Sequence, residues 1–283
     1  MTPRNALLAV HLGALLFGLT GVFGKLAEAA PLAITAGRAA FAVLALGLFL
    51  ALARNASAGR PSLRQLALLA LGGLLLGAHW LTFFHAVKVS GVAIATLGFA
   101  SFPAFTLLLE GLLFRERLRA GEFAVVGLVC LGLVLVTPQF ELASQASQGL
   151  LWAVLSGLLF ALLSLTNRVS ARGIEPAQAA LWQNLTIALC LLPLAAPQLP
   201  AIAPLDWLWL ALLGVLCTGL AHSLFVSSLR VLKARTAAVV FAMEPVYGIF
   251  FAWLLFAEIP SLRIFGGGAL IVLATGGSAR LPR

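Results

Sequence analysis

Apolar residues run through this chain in long stretches, each ended by a short connection carrying charge, glycine or proline. Ten such stretches can be drawn, at 6–26, 31–53, 65–87, 92–114, 120–138, 148–170, 176–196, 206–229, 236–257 and 262–279. A helix needs about 20 consecutive apolar residues to cross the hydrocarbon of a bilayer, so each stretch is predicted to be a transmembrane helix. Together they would place roughly 200 residues in lipid and leave about 80 for tails and loops, so no separate soluble domain fits. The predicted fold is an all-α integral membrane protein of ten transmembrane helices. The first run ends in "LAEAAP", residues 26–31, whose small residues could pass for a signal-peptide cleavage site. The same segment recurs later in the chain, which favours a retained span.

That recurrence is systematic. At an offset of 142 residues Gly72 falls on Gly214, Gly77 on Gly219, Phe83 on Phe225, Lys88 on Arg230, Ala95 on Ala237 and Pro103 on Pro245, without a gap. "LFRE" at 113–116 likewise falls on "LFAE" at 255–258. At 143 "LLF" of 15–17 meets "LLF" of 158–160 and Lys25 meets Arg168, and at 145 Pro31 meets Pro176 and Arg38 meets Gln183. The chain therefore reads as two five-helix repeats within one membrane domain, 1–140 and 148–283. Five spans is an odd number, so the second repeat is expected upside down relative to the first. Inverted halves can rock about a shared midplane site and expose it to each side in turn, which makes solute transport the leading function.

Composition agrees: 62% of residues are hydrophobic, 10% are charged, and mean hydropathy is +1.08. The formal charge of +9 would suggest nucleic acid in a soluble protein, but here it sorts by loop. Arg4, Arg54, Arg60, Arg64, Arg115, Arg117, Arg119, Arg168, Arg172, Arg230, Lys233, Arg235, Arg280 and Arg283 share one side; Lys25, Lys88 and Arg263 lie on the other. Positively charged loops stay cytoplasmic, so both termini are expected inside, with no nucleic-acid partner, and the expected location is the cell inner membrane. Cys130, Cys190 and Cys217 are odd in number and lie in apolar runs, so free thiols without disulfide or metal are expected.

Charges inside the spans carry the candidate chemistry. "FAMEPVYGIFF", residues 241–251, sets Glu244 beside Pro245 in an apolar run. A proline removes a backbone donor and crowds the carbonyl four residues earlier, so Pro103 and Pro245 are expected to bend spans four and nine as hinges. A carboxylate at midplane must face a watery cavity, bind a proton or pair with a cation. Arg38 is a candidate partner for Glu244, with Glu110 in competition. Arg38 could clamp helices or hold substrate, and Arg38, Glu110, Glu116 and Glu258 are assigned structural roles. Glu116 and Glu258, at matched ends of spans four and nine, would accept from the backbone donors of a neighbouring helix terminus.

The pattern Ala86, Ala93, Pro103 and Leu113–Glu116, echoed by Ala237, Pro245 and Leu255–Glu258, resembles the EamA-type repeat of the drug/metabolite transporter superfamily over the whole chain. Within it the chain is most similar to bacterial exporters of aromatic amino acids, the YddG type. The resemblance implies a ten-helix basket around a central cavity lined by helices 1, 3, 4, 6, 8 and 9, and export of amino acids or related metabolites.

Helical spacing supplies the candidate substrate-binding residues. They are His79, Trp80 and Phe83 in span three, Phe99 and Ser101 in span four, Ser164 in span six, Trp182 in span seven, Thr218 and His222 in span eight, and Phe241, Glu244 and Tyr247 in span nine. An aromatic zwitterion needs ring faces with a few donors and acceptors, which this set contains. Each Ser or Thr could instead bond its own helix, and each His could bridge two helices. No HExxH motif or pair of intramembrane aspartates argues for an enzyme, and no cofactor is expected. Export of cationic drugs or of another proton-coupled metabolite is the alternative, and a monomer is expected.

Overall fold

The computed structural model describes residues 2–52, 61–113, 120–136, 144–170, 174–229, 231–232, 240 and 243–278; the side chains of 168–170, 226, 229, 275, 277 and 278 are outside that description. Phe241, Glu116 and most of the basic loops therefore lie outside the described residues.

The described regular structure is helical: α1 (Pro3–Leu26), α2 (Pro31–Leu52), α3 (Leu63–Phe99), α4 (Phe102–Leu113), α5 (Ala120–Val136), α6 (Gln145–Ser170) and α7 (Pro176–Ala195) are followed by a 3-10 turn (Ala196–Ala201). Then come α8 (Pro204–Gly214), a π-helical segment (Val215–Leu220), α9 (Ala221–Leu229), α10 (Glu244–Phe256) and α11 (Leu262–Ser278). Among the described residues six helical stretches are long and apolar enough to cross a membrane, and four shorter apolar ones accompany them at Phe102–Leu113, Ala120–Val136, Glu244–Phe256 and Leu262–Ala274. Large apolar side chains such as Leu8, Leu44, Leu112, Leu189 and Leu273 stand exposed on the outside of the bundle, as a hydrocarbon solvent permits.

Local sequence explains where the helices start. Pro3, Pro31, Pro176 and Pro204 open α1, α2, α7 and α8, where a missing N–H costs nothing because the first turn's donors have no helical acceptor. Ser62 and Gln65 form a reciprocal capping box at the start of α3. Gly91 breaks α3 with φ 82° and ψ 174°, inside the connection predicted between spans three and four. That conformation is open to glycine and costly for any residue with a Cβ.

Pro103 does not bend a continuous helix. The chain turns at Ala100 and Ser101, and α4 begins afresh at Phe102 with Pro103 in its first turn. Pro245 holds the equivalent place in α10, which begins at Glu244. The physical reason is the same as at the other helix starts: the first turn is where proline's missing donor is tolerated.

Packing follows the repeat. α3 packs most extensively on α6, α5 on α11, α2 on α7 and α1 on both α10 and α9. Exchanging the two repeats maps these contacts onto one another. Close approach of α1 to α10 depends on Gly18, where a Cβ would stand 2.8 Å from Tyr247 Cβ and 3.0 Å from the Glu244 carbonyl oxygen.

At the Lys25 end of the bundle four polar ties join separate elements. Lys25 forms an ion pair with Glu258, just beyond α10, and lies over the Phe256 ring at 4.5 Å. Glu258 also accepts from the backbone N–H of Val92 at 3.2 Å, the first donor after the break at Gly91. Asp206, 4% exposed, accepts from the N–H groups of Glu28 at 3.0 Å and Ala29 at 2.9 Å, fixing the α1–α2 connection to α8. Lys88 Nζ donates to the Ala27 carbonyl.

Candidate functional site

The interrupted helices surround a cavity of about 540 Å³, within the range of small-molecule sites. α1 contributes Phe17 and Thr20, α2 Arg38, and α3 Leu76, His79, Trp80, Phe83 and Phe99. Phe102 and Pro103 come from α4, Phe160, Leu163, Ser164 and Asn167 from α6, and Ala180, Gln183 and Asn184 from α7. Thr218, His222, Phe225, Glu244 and Pro245 from the π segment, α9 and α10 complete the wall together with Ala100 and Val272.

One side of this cavity is a cluster of rings. Phe99 stacks on Phe102 with centroids 5.3 Å apart and planes 22° apart, and Phe160 meets both edge-on at 5.3 Å and 5.1 Å. His79 lies 4.9 Å from Phe99 and 5.1 Å from Phe160. His79 Nδ1 is 2.7 Å from Ser156 Oγ, while that hydroxyl donates to the His79 carbonyl at 3.1 Å. With its single hydrogen committed there, the hydroxyl accepts from Nδ1–H, which leaves Nε2 of a neutral ring as an acceptor.

The opposite chemistry is Arg38, 2% exposed. Its Nε donates to Thr218 Oγ1 at 2.9 Å, and its guanidinium carbon lies 3.9 Å from the centroid of the Trp80 ring. Thr218 can accept because its own hydrogen goes to the Leu213 carbonyl, five residues back, at 2.9 Å. That contact belongs to the π-helical segment, whose wider turn brings the fifth carbonyl within reach. Arg38 Nη1 and Asn184 Oδ1 are buried without a hydrogen-bond partner among the described residues. Arg38 and Glu244 interact electrostatically, yet no ion pair joins them among the described residues.

Of the candidates named from sequence, His79, Trp80, Phe83, Phe99, Ser164, Thr218, His222 and Glu244 line this cavity, as do Pro103 and Pro245. Arg38, assigned a structural role from sequence, lines it too. Three candidates lie elsewhere. Ser101 is buried in the turn before α4, donating to the Gly98 carbonyl at 2.7 Å. Trp182 packs on Leu69, Ile174 and Ala179, because it sits about 100° around α7 from its lining neighbour Gln183. Tyr247 faces α1, its hydroxyl 3.2 Å from His11 Nδ1. Glu110, in the second half of α4, and Glu258, at the Lys25 end, are outside the lining. Phe17 and Phe160 are lining residues that spacing alone passes over, although the repeat aligns them at offset 143.

The sequence profile of the EamA-like transporter family matches the chain twice, over residues 4–137 and 147–279. The chain belongs to the EamA-like transporter family. Among curated proteins this family member is 27% identical over 269 residues to "Uncharacterized transporter" of Archaeoglobus fulgidus, covering 93% of this chain and 92% of that one. It is 24% identical over 222 residues to "Uncharacterized transporter YxxF" of Bacillus subtilis, covering 74% and 70% respectively. A solved structure titled "Crystal structure of protein" matches 98% of this chain and 96% of its own at a TM-score of 0.69 and 22% identity, a likeness of fold. The chain is thus a multi-pass membrane transporter with a tandem EamA repeat.

Proposed function

We propose that this transporter exports amino acids, aromatic and other neutral ones, or closely related metabolites across the inner membrane, in the manner of the YddG-type branch. In this reading ten spans form two inverted repeats, 1–140 and 148–283, with both termini in the cytoplasm, and one copy of the chain suffices. The two repeats alternate access to the central cavity. The observation that carries the reading is the cavity itself: a volume of about 540 Å³ with clustered Phe99, Phe102 and Phe160 rings on one side and Arg38, Gln183, Asn184 and Glu244 among its polar groups. Ring faces suit an aromatic or apolar side chain, while the polar groups suit an ammonium and a carboxylate.

The test is uptake of labelled phenylalanine, tryptophan and threonine into liposomes containing the purified protein, with and without a proton gradient. Flux above empty liposomes supports the reading, and absence of flux for all three defeats the amino-acid assignment. A second reading, export of a cation or of a metabolite coupled to protons, is favoured by Glu244 in the cavity wall. Glu244→Gln separates the two: coupled transport predicts an altered pH dependence of flux, whereas unchanged rates across pH remove Glu244 from coupling.

A further inference from the structure

We infer that Arg38 is an anion-reading residue: its guanidinium binds the carboxylate of an organic acid whose apolar or aromatic body rests on the Phe99, Phe102 and Phe160 rings. This deepens the export reading and rests on it for the claim that the bound acid is also carried.

Three observations meet at this side chain. The guanidinium is buried yet lines the cavity, so its charge is removed from bulk water at the place where a solute would sit. Its Nε is occupied by Thr218 and one face by Trp80, while Nη1 has no partner among the described residues. A buried arginine serving as a structural clamp would be expected to direct its fork into a carboxylate or a row of carbonyls. Here the protein supplies a hydroxyl on one edge and an aromatic face, which orient the fork without neutralising it.

The pairing with Glu244 does not fill this role. No ion pair connects the two groups among the described residues, and they come from helices of different repeats. The position equivalent to Arg38 in the second repeat is Gln183, also in the lining, and the position equivalent to Glu244 is Phe102, again in the lining. The repeats have therefore placed one cation and one carboxylate at non-equivalent points of a shared wall. A carboxylate with planar geometry is the natural ligand of a guanidinium fork. Thr218 is a positioning residue, since it holds Nε through a hydroxyl whose own hydrogen is committed to Leu213.

The experiment measures ligand binding to purified protein in a neutral maltoside without phospholipid, by the rise in thermal midpoint on titration. The probes are phenylalanine, 3-phenylpropanoate, which lacks the ammonium, and phenethylamine, which lacks the carboxylate. The expected result is binding of both carboxylates, with phenethylamine at least about tenfold weaker, since it cannot form the carboxylate–guanidinium bond. Arg38→Gln should weaken 3-phenylpropanoate about tenfold or more and leave phenethylamine unchanged. Thr218→Val should weaken it less, and Arg38→Lys should restore it only in part. Binding of 3-phenylpropanoate that Arg38→Gln leaves unchanged, in a variant that still melts cooperatively, overturns the inference. So does failure of both carboxylates to bind. Binding that depends on Arg38 together with no amino-acid flux in liposomes would retain the anion site and defeat the export reading; flux indifferent to the carboxylate would do the reverse.

Discussion

Replacing Gly91 by alanine tests whether the break in α3 is held by its own backbone and by Glu258 together. At φ 82° and ψ 174° a non-glycine residue costs about 1–3 kcal/mol in backbone strain alone. The added Cβ would also stand 2.9 Å from Glu258 Oε1 and 3.1 Å from its carboxyl carbon, so the carboxylate must move. Moving it weakens the bond from the Val92 N–H, a charge-assisted contact worth about 1.5–3 kcal/mol, and disturbs the partly exposed Lys25 ion pair, which contributes less. The combined loss is about 3 kcal/mol, or a fall of roughly 6–12 °C in the thermal midpoint for a chain of this size. Tryptophan fluorescence during heating in detergent measures it. The cycle with Glu258→Ala separates the causes: once the carboxylate is gone, Gly91→Ala should cost only its strain, giving a coupling of about 1 kcal/mol or more. A wild-type midpoint in Gly91→Ala, or two additive losses, would refute this account of the break.

Three further outcomes are expected. Asp206→Asn keeps the shape but removes the charge that accepts from Glu28 and Ala29, so the thermal midpoint should fall by the equivalent of about 1–2 kcal/mol. Phe160→Ala removes a ring contacting both Phe99 and Phe102 and should weaken aromatic substrates more than threonine in competition for flux, by about tenfold for the loss of one aromatic contact; equal effects on both would contradict the ring-binding role. A single cysteine at Ser144, with the three native cysteines replaced, should react with an impermeant maleimide added outside intact cells; labelling from the cytoplasm alone would reverse the proposed orientation.

Much of the scaffold was readable because lipid imposes one rule, that long apolar stretches must be helical. The prolines were readable as interruptions, but the choice between a bent helix and a new start depends on how the chain turns at Ala100 and Ser101, which no residue type dictates. The π segment is similarly silent in sequence: Val215–Leu220 has no composition that forbids an ordinary helix, yet it positions Thr218 against Arg38. Helical spacing located the α3 wall at His79 and Phe83, four residues apart on one face, with Trp80 beside them. It failed at Trp182, where one step around α7 separates packing from cavity, and at Tyr247, which the approach of α10 to Gly18 turns toward α1. Whether a carboxylate lies within reach of Arg38 is a question of helix placement that spacing along one chain cannot answer.

α10 begins with Glu244 in the cavity wall, and the chain leaving its far end carries Glu258 to Lys25 and to the Val92 N–H. Thirteen residues of helix make a rod of about 20 Å. A tilt of about 10° around its centre would displace each end by about 1.7 Å, enough to part a hydrogen bond. A ligand that settled against Glu244 and tilted this helix would therefore load the tie that joins α1 to the break in α3.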